Sequence, residues 1–163
     1  MVMGELAARI WEDLEFDIVK ETWNTYYLED GVRIRGRTIL KKLMRRKQGS
    51  KYEFTADFQN IFITIAPIHL RGKPGSPLTR EEMMNAAKIG RPVRIVDSRE
   101  DWNIYLVPDM NMTLKVKLTV VEIYRIPGRY DKYGEPIYAI RSTNVIVPMK
   151  KEKHDNFSSS YRS

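Results

Sequence analysis

Residues 21–26 of the chain read "ETWNTY", and residues 100–105 read "EDWNIY". When these stretches are aligned, positions downstream of them also match in residue type. The matched pairs are Trp23/Trp102, Asn24/Asn103, Tyr26/Tyr105 and Asp30/Asp109, followed after one inserted residue by Ile34/Leu114, Arg35/Lys115, Arg37/Lys117, Leu43/Ile123 and Arg45/Arg125. A third block, "FTADFQNIFI" from Phe54, resembles "YAIRSTNVIV" from Tyr138. Three matched blocks in the same order indicate an internal duplication.

Both copies have the pattern of β-strands. Residues 113–120 read "TLKVKLTV", in which polar and apolar residues alternate as in a strand with one buried face. The adjacent apolar residues Val120 and Val121 break the alternation, which predicts a bulge or a bend in this long strand. Turn signals precede this strand in the second copy, at residues 108–111, and its counterpart in the first copy, at residues 29–31.

A third strand is predicted in each copy, at about residues 52–65 and 137–147, so that each copy is a three-stranded meander. A lone meander of roughly 50 residues is marginally stable, because it buries too little apolar surface. We therefore predict an all-β fold (mainly β with short helices) in which two duplicated meanders share a core. They are expected to form a six-stranded barrel or sandwich with pseudo-twofold symmetry.

Five segments follow from this interpretation. They are an N-terminal helix at residues 1–14, a first β repeat at 15–67, a linker with a short helix at 68–90, a second β repeat at 91–149 and a disordered tail at 150–163. The N-terminal helix is inferred from Leu6, Ile10 and Leu14 at helical spacing. The linker helix, at about residues 80–89, is inferred from the capping-box pair Thr79 and Glu82. The tail is polar and lacks periodicity.

The composition is that of a soluble globular protein, with 42% hydrophobic and 30% charged residues. The absence of cysteine excludes disulfides, thiolate metal sites and cysteine nucleophiles. No apolar run is long enough to span a bilayer, and no signal peptide is recognisable, so we expect a cytoplasmic protein without membrane partners. Many charges and no cysteine also favour a thermophilic source.

The positive charge is concentrated in one segment. Residues 33–51 contain nine bases and no acid, which exceeds the net charge of +7 of the whole chain. Alternation places Arg33, Arg35 and Arg37 on one face of a strand, and the arginine fork suits phosphate oxygens. The predicted nucleic-acid-binding residues are Arg33, Arg35, Arg37, Lys41, Lys42, Arg45, Arg46 and Lys47, with Tyr26, Tyr27 or Tyr52 offering rings for base stacking. We expect binding of RNA or DNA without sequence preference.

Other interpretations stay open. The basic strand is also typical of a solvated face that keeps a protein soluble and discourages edge pairing. The alternative function is a structural or assembly protein that contacts a protein partner or forms a homo-oligomer. Its contact surface would be exposed strands or the aromatic loop predicted at residues 126–136.

The repeated aromatic residues are expected to pack in the core rather than to stack on a ligand, because each carries a large apolar surface: Trp23, Trp102, Tyr26 and Tyr105. The repeated asparagines are expected to satisfy backbone groups at bulges or turns: Asn24, Asn103, Asn60 and Asn144.

The sequence favours a protein that is not an enzyme and needs no cofactor or metal. Its two histidines, His69 and His154, lie outside the repeat, which removes most histidine-based catalytic and metal sites. The stretch "RGKPGSP" lacks the spacing of a phosphate-binding loop. A carboxylate pair formed by Asp30 and Asp109 is conceivable, but both residues are first of all turn residues.

Overall fold

The computed structural model describes residues 10–151. It is 62% strand and 11% helix, so the prediction of a mainly β fold with short helices is confirmed. The strands are β1 (Glu12–Asp13), β2 (Asp17–Lys20), β3 (Asn24–Leu28), β4 (Arg33–Gln48), β5 (Lys51–Ile65), β6 (Arg91–Pro92), β7 (Ile95–Arg99), β8 (Asn103–Val107), β9 (Met112–Tyr130) and β10 (Pro136–Lys150). Two short helices, α1 (Arg80–Met84) and α2 (Ala86–Ile89), and two 3₁₀ turns, Ile68–Leu70 and Pro108–Met110, complete the described elements.

The strands form two antiparallel five-stranded sheets with the same order. In sheet A, the long strand β4 pairs along one edge with β5 and along the other with β1 and β3, and β3 pairs with β7. In sheet B, β9 pairs along one edge with β10 and along the other with β6 and β8, and β8 pairs with β2. The first half of the chain (β1–β5) and the second half (β6–β10) therefore use equivalent strands in equivalent places.

Each sheet takes its outermost short strand from the other half of the chain. Strand β2 belongs to the first half but pairs with β8, and β7 belongs to the second half but pairs with β3. The chain passes from sheet B to sheet A between β2 and β3, at residues 21–23, and from sheet A to sheet B between β7 and β8, at residues 100–102, and we call these two segments the crossovers. The predicted count of six strands is wrong because it omitted β1, β2, β6 and β7. These strands are short and largely exposed, so they lack the alternation that marks a half-buried strand.

The core lies between the two sheets and is built from both halves. One cluster packs Leu40 and Leu43 of the first half against Tyr105 and Leu114 of the second. A second cluster packs Ile34 of the first half with residues that include Ile123 and Tyr138 of the second. Burying each of these side chains contributes about 1.5–3 kcal/mol. Because both clusters contain residues from the two halves, neither half retains all of its apolar contacts alone.

The prediction for the repeated aromatics is correct for the tyrosines and wrong for the tryptophans. Tyr26 is 1% exposed and Tyr105 is fully buried. Trp23 and Trp102 are half-buried and belong to neither central cluster. The reason is the period of a strand, since Asn24 and Tyr26 face inward and the residue before them must face outward.

The long strands carry bulges at matched positions. The register of β9 and β10 shifts at Val121, as predicted from the break in alternation. The register of β4 and β5 shifts at Lys41, which is the residue aligned with Val121 in the first half. Each bulge reverses which residues of the long strand face the core beyond it.

The predicted N-terminal helix lies partly outside the described residues, and the described part is not helical. Glu12–Asp13 form strand β1, opposite Arg45 and Met44 of β4, and the Leu14 N–H donates to the Leu43 carbonyl at 2.8 Å. Those pairings satisfy backbone groups that a helix would bond internally. Of the predicted tail, Lys150 ends strand β10, and residues 152–163 lie outside the described part.

The linker has the predicted capping box but not the predicted single helix. Thr79 and Glu82 bond each other's backbone N–H groups, and the helical segment is divided at Asn85 into α1 and α2. The loop predicted at residues 126–136 is shorter than expected, because β9 continues to Tyr130. Only residues 131–135 connect β9 to β10.

Candidate binding site

The two crossovers are joined by a set of reciprocal hydrogen bonds. The side-chain amide of Asn24 donates to the carbonyl of Leu118 at 3.0 Å, and that of Asn103 donates to the carbonyl of Thr38 at 2.8 Å. Leu118 and Thr38 are themselves aligned positions in the two halves. These asparagines therefore satisfy backbone groups, although they do so across the sheets and not within a turn.

The same two asparagines also accept hydrogen bonds from the opposite crossover. The N–H of Asp101 donates to Asn24 Oδ1 at 3.1 Å, and the N–H of Thr22 donates to Asn103 Oδ1 at 3.0 Å. Each crossover is therefore held to the other through the residues that flank its tryptophan. Loss of either amide removes a hydrogen bond from two backbone groups, one in the opposite long strand and one in the opposite crossover.

Two tyrosine–glutamate bonds complete the network. The hydroxyl of Tyr26 donates to Glu100 at 2.8 Å, and the hydroxyl of Tyr105 donates to Glu21 at 2.7 Å. Burial raises the pKa of both tyrosines well above the ordinary value, and the neighbouring carboxylates raise it further. Both hydroxyls are therefore neutral donors at physiological pH.

Each tryptophan lies beside two cations on the outer face of its sheet. The guanidinium carbons of Arg35 and Arg37 lie 4.9 and 5.8 Å from the ring centroid of Trp23. We call these three residues the Trp23 cluster. Cation–π contacts at exposed sites contribute about 0.5–1 kcal/mol each, so the two contacts favour this arrangement modestly.

The second arrangement is the Trp102 cluster, formed by Trp102, Lys115 and Lys117. The two ammonium nitrogens lie 4.8 and 5.2 Å from the ring centroid. Lys115 and Lys117 are the residues aligned with the two arginines of the Trp23 cluster. The geometry is therefore repeated, with lysine in place of arginine.

The outer face of sheet A carries further arginines and a further ring. In the sheet register, Arg35 and Arg99 both lie opposite Thr25, and Arg33 lies opposite Tyr27. Residues directly opposite each other share a face, so these side chains lie on the same surface as the Trp23 cluster. The guanidinium of Arg99 is 6.0 Å from the ring of Tyr27. Arg33, Arg35 and Arg99 therefore share one face with the rings of Trp23 and Tyr27, and Asp97, which lies opposite Tyr27 on β7, shares it as well.

Ion pairs occupy much of the predicted basic site. The pairs are Arg37–Glu21 at 3.4 Å, Lys41–Asp57 at 3.4 Å, Lys42–Asp13 at 3.2 Å, Arg45–Glu12 at 2.7 Å and Arg46–Glu53. Of the nine bases in residues 33–51, only Arg33, Arg35, Lys47 and Lys51 have no carboxylate partner within the part of the chain that the structure describes. The charge of this segment is therefore largely balanced by acids of β1, β5 and the first crossover.

The bulge at Lys41 divides the predicted site into two parts. Arg33, Arg35 and Arg37 lie together on the outer face. Beyond the bulge, Arg45 shares a face with the buried Leu43, and its side chain is only 20% exposed. Lys42 and Arg46 lie on the other face of this part of β4 and are ion-paired, and Lys47 is exposed near the hairpin turn.

A third tryptophan has a similar cation contact but a different setting. The guanidinium of Arg46 is 4.6 Å from the ring of Trp11. That guanidinium is also ion-paired with Glu53. In the Trp23 cluster, by contrast, Arg35 has no carboxylate partner within residues 10–151, and Arg37 uses only Nη2 toward Glu21 while its Nε is unpaired.

The chain matches no protein-family model, no curated protein and no solved structure. Sequence reasoning had placed both tryptophans in the core and had not included Arg99, Lys115 or Lys117. The alternation of the strands would have shown that the tryptophans face outward, since each precedes an inward-facing asparagine by one residue.

Two further carboxylates, those of Asp30 and Glu135, are bonded within the fold. Asp30 accepts from the hydroxyl of Tyr138 and lies 3.6 Å from Arg125. The buried Glu135 accepts from the N–H of Ala66 at 2.9 Å and pairs with Arg71 at 3.1 Å. These carboxylates hold loops to the sheets and do not converge on a common space.

Within residues 10–151, no group of three or more histidines or carboxylates is close enough to hold a metal ion. A cavity of about 310 Å³ lies between the linker helices and sheet B, where its lining includes Met83, Tyr124 and Ile140. None of the helices that the structure describes is long and apolar enough to cross a membrane.

Proposed function

We propose that the protein binds single-stranded nucleic acid, without sequence preference, through the outer face of sheet A. The observation that supports this proposal is the Trp23 cluster, a partly exposed indole ring beside two guanidinium groups on a sheet face. Aromatic rings on such a face stack on unpaired bases of any type. Guanidinium groups at the same place bond the phosphate oxygens.

The proposed site is smaller than the basic segment. Its phosphate-binding groups are Arg33, Arg35 and Arg99, which have no carboxylate partner among the described residues. Its stacking groups are Trp23 and Tyr27, which lie on the same outer face. Three phosphate contacts with a single strand correspond to a slope of about −2 in a plot of log affinity against log salt concentration.

The test compares two pairs of substitutions that each remove two unpaired positive charges. Arg33→Gln with Arg35→Gln changes the proposed site, whereas Lys47→Gln with Lys51→Gln changes the hairpin turn of the same segment. Fluorescence anisotropy of a labelled oligothymidylate, recorded at several salt concentrations, measures the affinity.

We expect the first pair to weaken binding about tenfold or more and to reduce the salt slope, and the second pair to change both little. Equal losses in the two variants would show that only the net charge matters. Wild-type binding that does not depend on salt would contradict the proposal, and unchanged thermal unfolding would show that both variants are folded.

The proposal includes an origin for the fold. We propose that the two halves arose by internal duplication and are related by a pseudo-twofold axis. The matched bulges at Lys41 and Val121, the equal strand orders and the reciprocal asparagine bonds support this origin.

We further propose that the two sheets form an open sandwich and not a closed barrel. In the part of the chain described, no backbone ladder joins β5 to β10. These strands are linked instead by side-chain hydrogen bonds such as the one from Asn60 Nδ2 to Ser142 Oγ at 3.0 Å. The hydroxyl of Thr38 lies 2.7 Å from Asn60 Oδ1 and 3.0 Å from Asn144 Oδ1.

Asn60 lies within the long strand β5 and Asn144 within the long strand β10, so the prediction that they occupy bulges or turns is wrong.

A second candidate function is assembly through strand β10. Val145, Ile146, Val147 and Met149 are 37–49% exposed. Among residues 10–151, strand β10 pairs with β9 along one edge, and no backbone ladder covers its other edge. A long apolar free edge is a site for pairing with another chain. The partner that fits is a second copy, because two antiparallel β10 edges form a self-complementary, two-fold contact.

Light scattering tests this candidate with one substitution and its control. Val147→Lys puts a charge beside the free edge, and Val121→Lys puts the same charge on an exposed valine of β9 away from that edge. The candidate predicts a dimer that persists after nuclease and high-salt treatment and is lost only in Val147→Lys. A monomeric wild-type protein would contradict it.

A further inference from the structure

We infer that the Trp102 cluster is a second nucleic-acid site, so that one chain holds two separate single strands. This inference rests on the proposed function of the Trp23 cluster. Nothing in the composition suggested it, because the second half lacks a strongly basic segment. The inference follows from the positions of individual side chains in sheet B.

The two clusters match in geometry. Both cations of each cluster lie within 6 Å of the ring centroid, and all six residues occupy aligned positions. The neighbours on the edge strand match as well. Arg35 lies opposite Ile63 in sheet A, and Lys115 lies opposite Val147 in sheet B. Each pair of cations therefore has an aromatic ring on one side and aliphatic side chains on the other.

The charges of the second cluster are free for a ligand. Lys115 and Lys117 form no ion pair with any residue from 10 to 151. The nearest acid in sequence to the ring, Asp101, is bonded to Lys20, which lowers the pKa of that carboxyl together with the N–H of Trp102. Asp101 therefore forms its ion pair with Lys20, although Lys117 also lies close enough to lower the pKa of this carboxyl.

The network between the crossovers fixes the two sites relative to each other. Trp23 lies between Thr22 and Asn24, and Trp102 lies between Asp101 and Asn103. These four flanking residues make the two reciprocal bonds described above. The crossovers run in opposite directions, so two strands bound in the same way at the two clusters have opposite polarity.

The two sites are expected to differ in strength. Arginine presents a planar fork that bonds two phosphate oxygens at once, whereas lysine acts as a point charge. Arg33 and Arg99 also extend the first site, whereas the residue aligned with Arg33 in the second half is Thr113. The Trp23 site therefore binds more tightly, and the Trp102 site fills second.

The test is the stoichiometry of binding, measured by isothermal titration calorimetry. The probe is an oligothymidylate of about six nucleotides, which lies within the range that one binding face accommodates. We expect two molecules bound per wild-type chain, in a tight step and a weaker step. Lys115→Gln with Lys117→Gln is expected to remove the weaker step and leave one molecule per chain.

Two further variants make the result specific. Lys115→Arg with Lys117→Arg keeps the charges and is expected to keep both steps and to strengthen the second. Trp102→Leu is expected to remove the second step even though both lysines remain. A melting temperature within a few degrees of wild type shows that each variant is folded.

The outcomes separate this inference from the proposed function. One molecule per wild-type chain, with no effect of the lysine substitutions, overturns the second site and leaves the first. No binding by the wild-type chain overturns both. Two molecules per chain that persist after Lys115→Gln with Lys117→Gln place the second site elsewhere and also overturn the inference.

Discussion

The hydroxyl of Tyr26, in the first half of the chain, donates a hydrogen bond of 2.8 Å to the carboxylate of Glu100 in the second half. Tyr105 and Glu21 make the converse bond at 2.7 Å. Each half therefore supplies one donor and one acceptor to the other, and neither half completes the network alone. Because these residues border the two crossovers, the bonds also set the positions of Trp23 and Trp102.

Removal of one hydroxyl is expected to destabilise the fold. In Tyr26→Phe, Glu100 loses its tyrosine donor and the side-chain amide of Asn24 loses one of its acceptors. We expect the free energy of unfolding to fall by about 1–3 kcal/mol, measured by urea denaturation. Tyr27→Phe is the control, because the Tyr27 hydroxyl has no partner among the described residues. A loss below about 0.5 kcal/mol in Tyr26→Phe would show that the bond adds nothing.

Alkaline pH is expected to destabilise the protein. Burial is the main cause that raises the pKa of Tyr26, Tyr105 and Tyr138 in the folded state. Above the unfolded-state pKa of about 10, the unfolded chain releases protons that the folded chain retains. The contribution of these tyrosines to the free energy of unfolding is therefore fully retained below pH 10. It falls as the pH rises toward the higher pKa values that the three hydroxyls have in the folded state.

Urea denaturation between about pH 8 and pH 11 measures this decline. Other groups also titrate there, so the informative comparison is between wild type and Tyr26→Phe. The variant is expected to lose stability less steeply above pH 10, because one of the three buried phenols is gone. Parallel declines in the two proteins would contradict the assignment to Tyr26.

A side chain at Gly36 is expected to displace the side chains of Leu118 and Phe62. A Cβ built there lies 2.8 Å from Leu118 and 2.8 Å from Phe62, closer than real contacts allow. The aligned residue in the second half is Val116, which is buried without such a conflict. We expect Gly36→Ala to lower the free energy of unfolding by about 1–3 kcal/mol through overpacking.

A double-mutant cycle checks the cause of that loss. Phe62→Leu makes room beside Gly36, so the combined variant is expected to be more stable than the sum of the two single losses predicts. Additive losses would mean that the Phe62 ring is not what the new methyl group meets.

Base stacking on Trp23 is expected to be visible in the affinity for oligothymidylate. Trp23→Leu removes the ring and is expected to weaken binding by about 1–3 kcal/mol, whereas Trp23→Phe retains a stacking face and loses less. Trp11→Leu is the matched control, because Trp11 also lies beside an arginine, Arg46, that is already ion-paired with Glu53. Fluorescence anisotropy distinguishes the variants. Equal effects of Trp23→Leu and Trp11→Leu would argue against a site at Trp23.

Much of the sheet structure was predictable because strand alternation is a local property. The outward positions of Arg33, Arg35 and Arg37 and the bulge at Val121 follow from the phase of neighbouring apolar residues. The alternation also places Trp23 on the outward face, whereas the general tendency of tryptophan to be buried predicts the core. The ion pairs were not predictable, because Lys42 meets Asp13 only through the pairing of β1 with β4.

The sequence by itself determined the mainly β class, the turns and bulges, and the two matched sets of residues, because these depend on neighbours along the chain. Only the tertiary structure decided that β2 and β7 lie in the opposite sheets, since exposed strands of four or five residues are positioned by long-range backbone pairing. That pairing also selects which cations face carboxylates and which remain beside the rings of Trp23 and Trp102. A charge becomes a binding group or a structural ion pair according to which strand lies next to it.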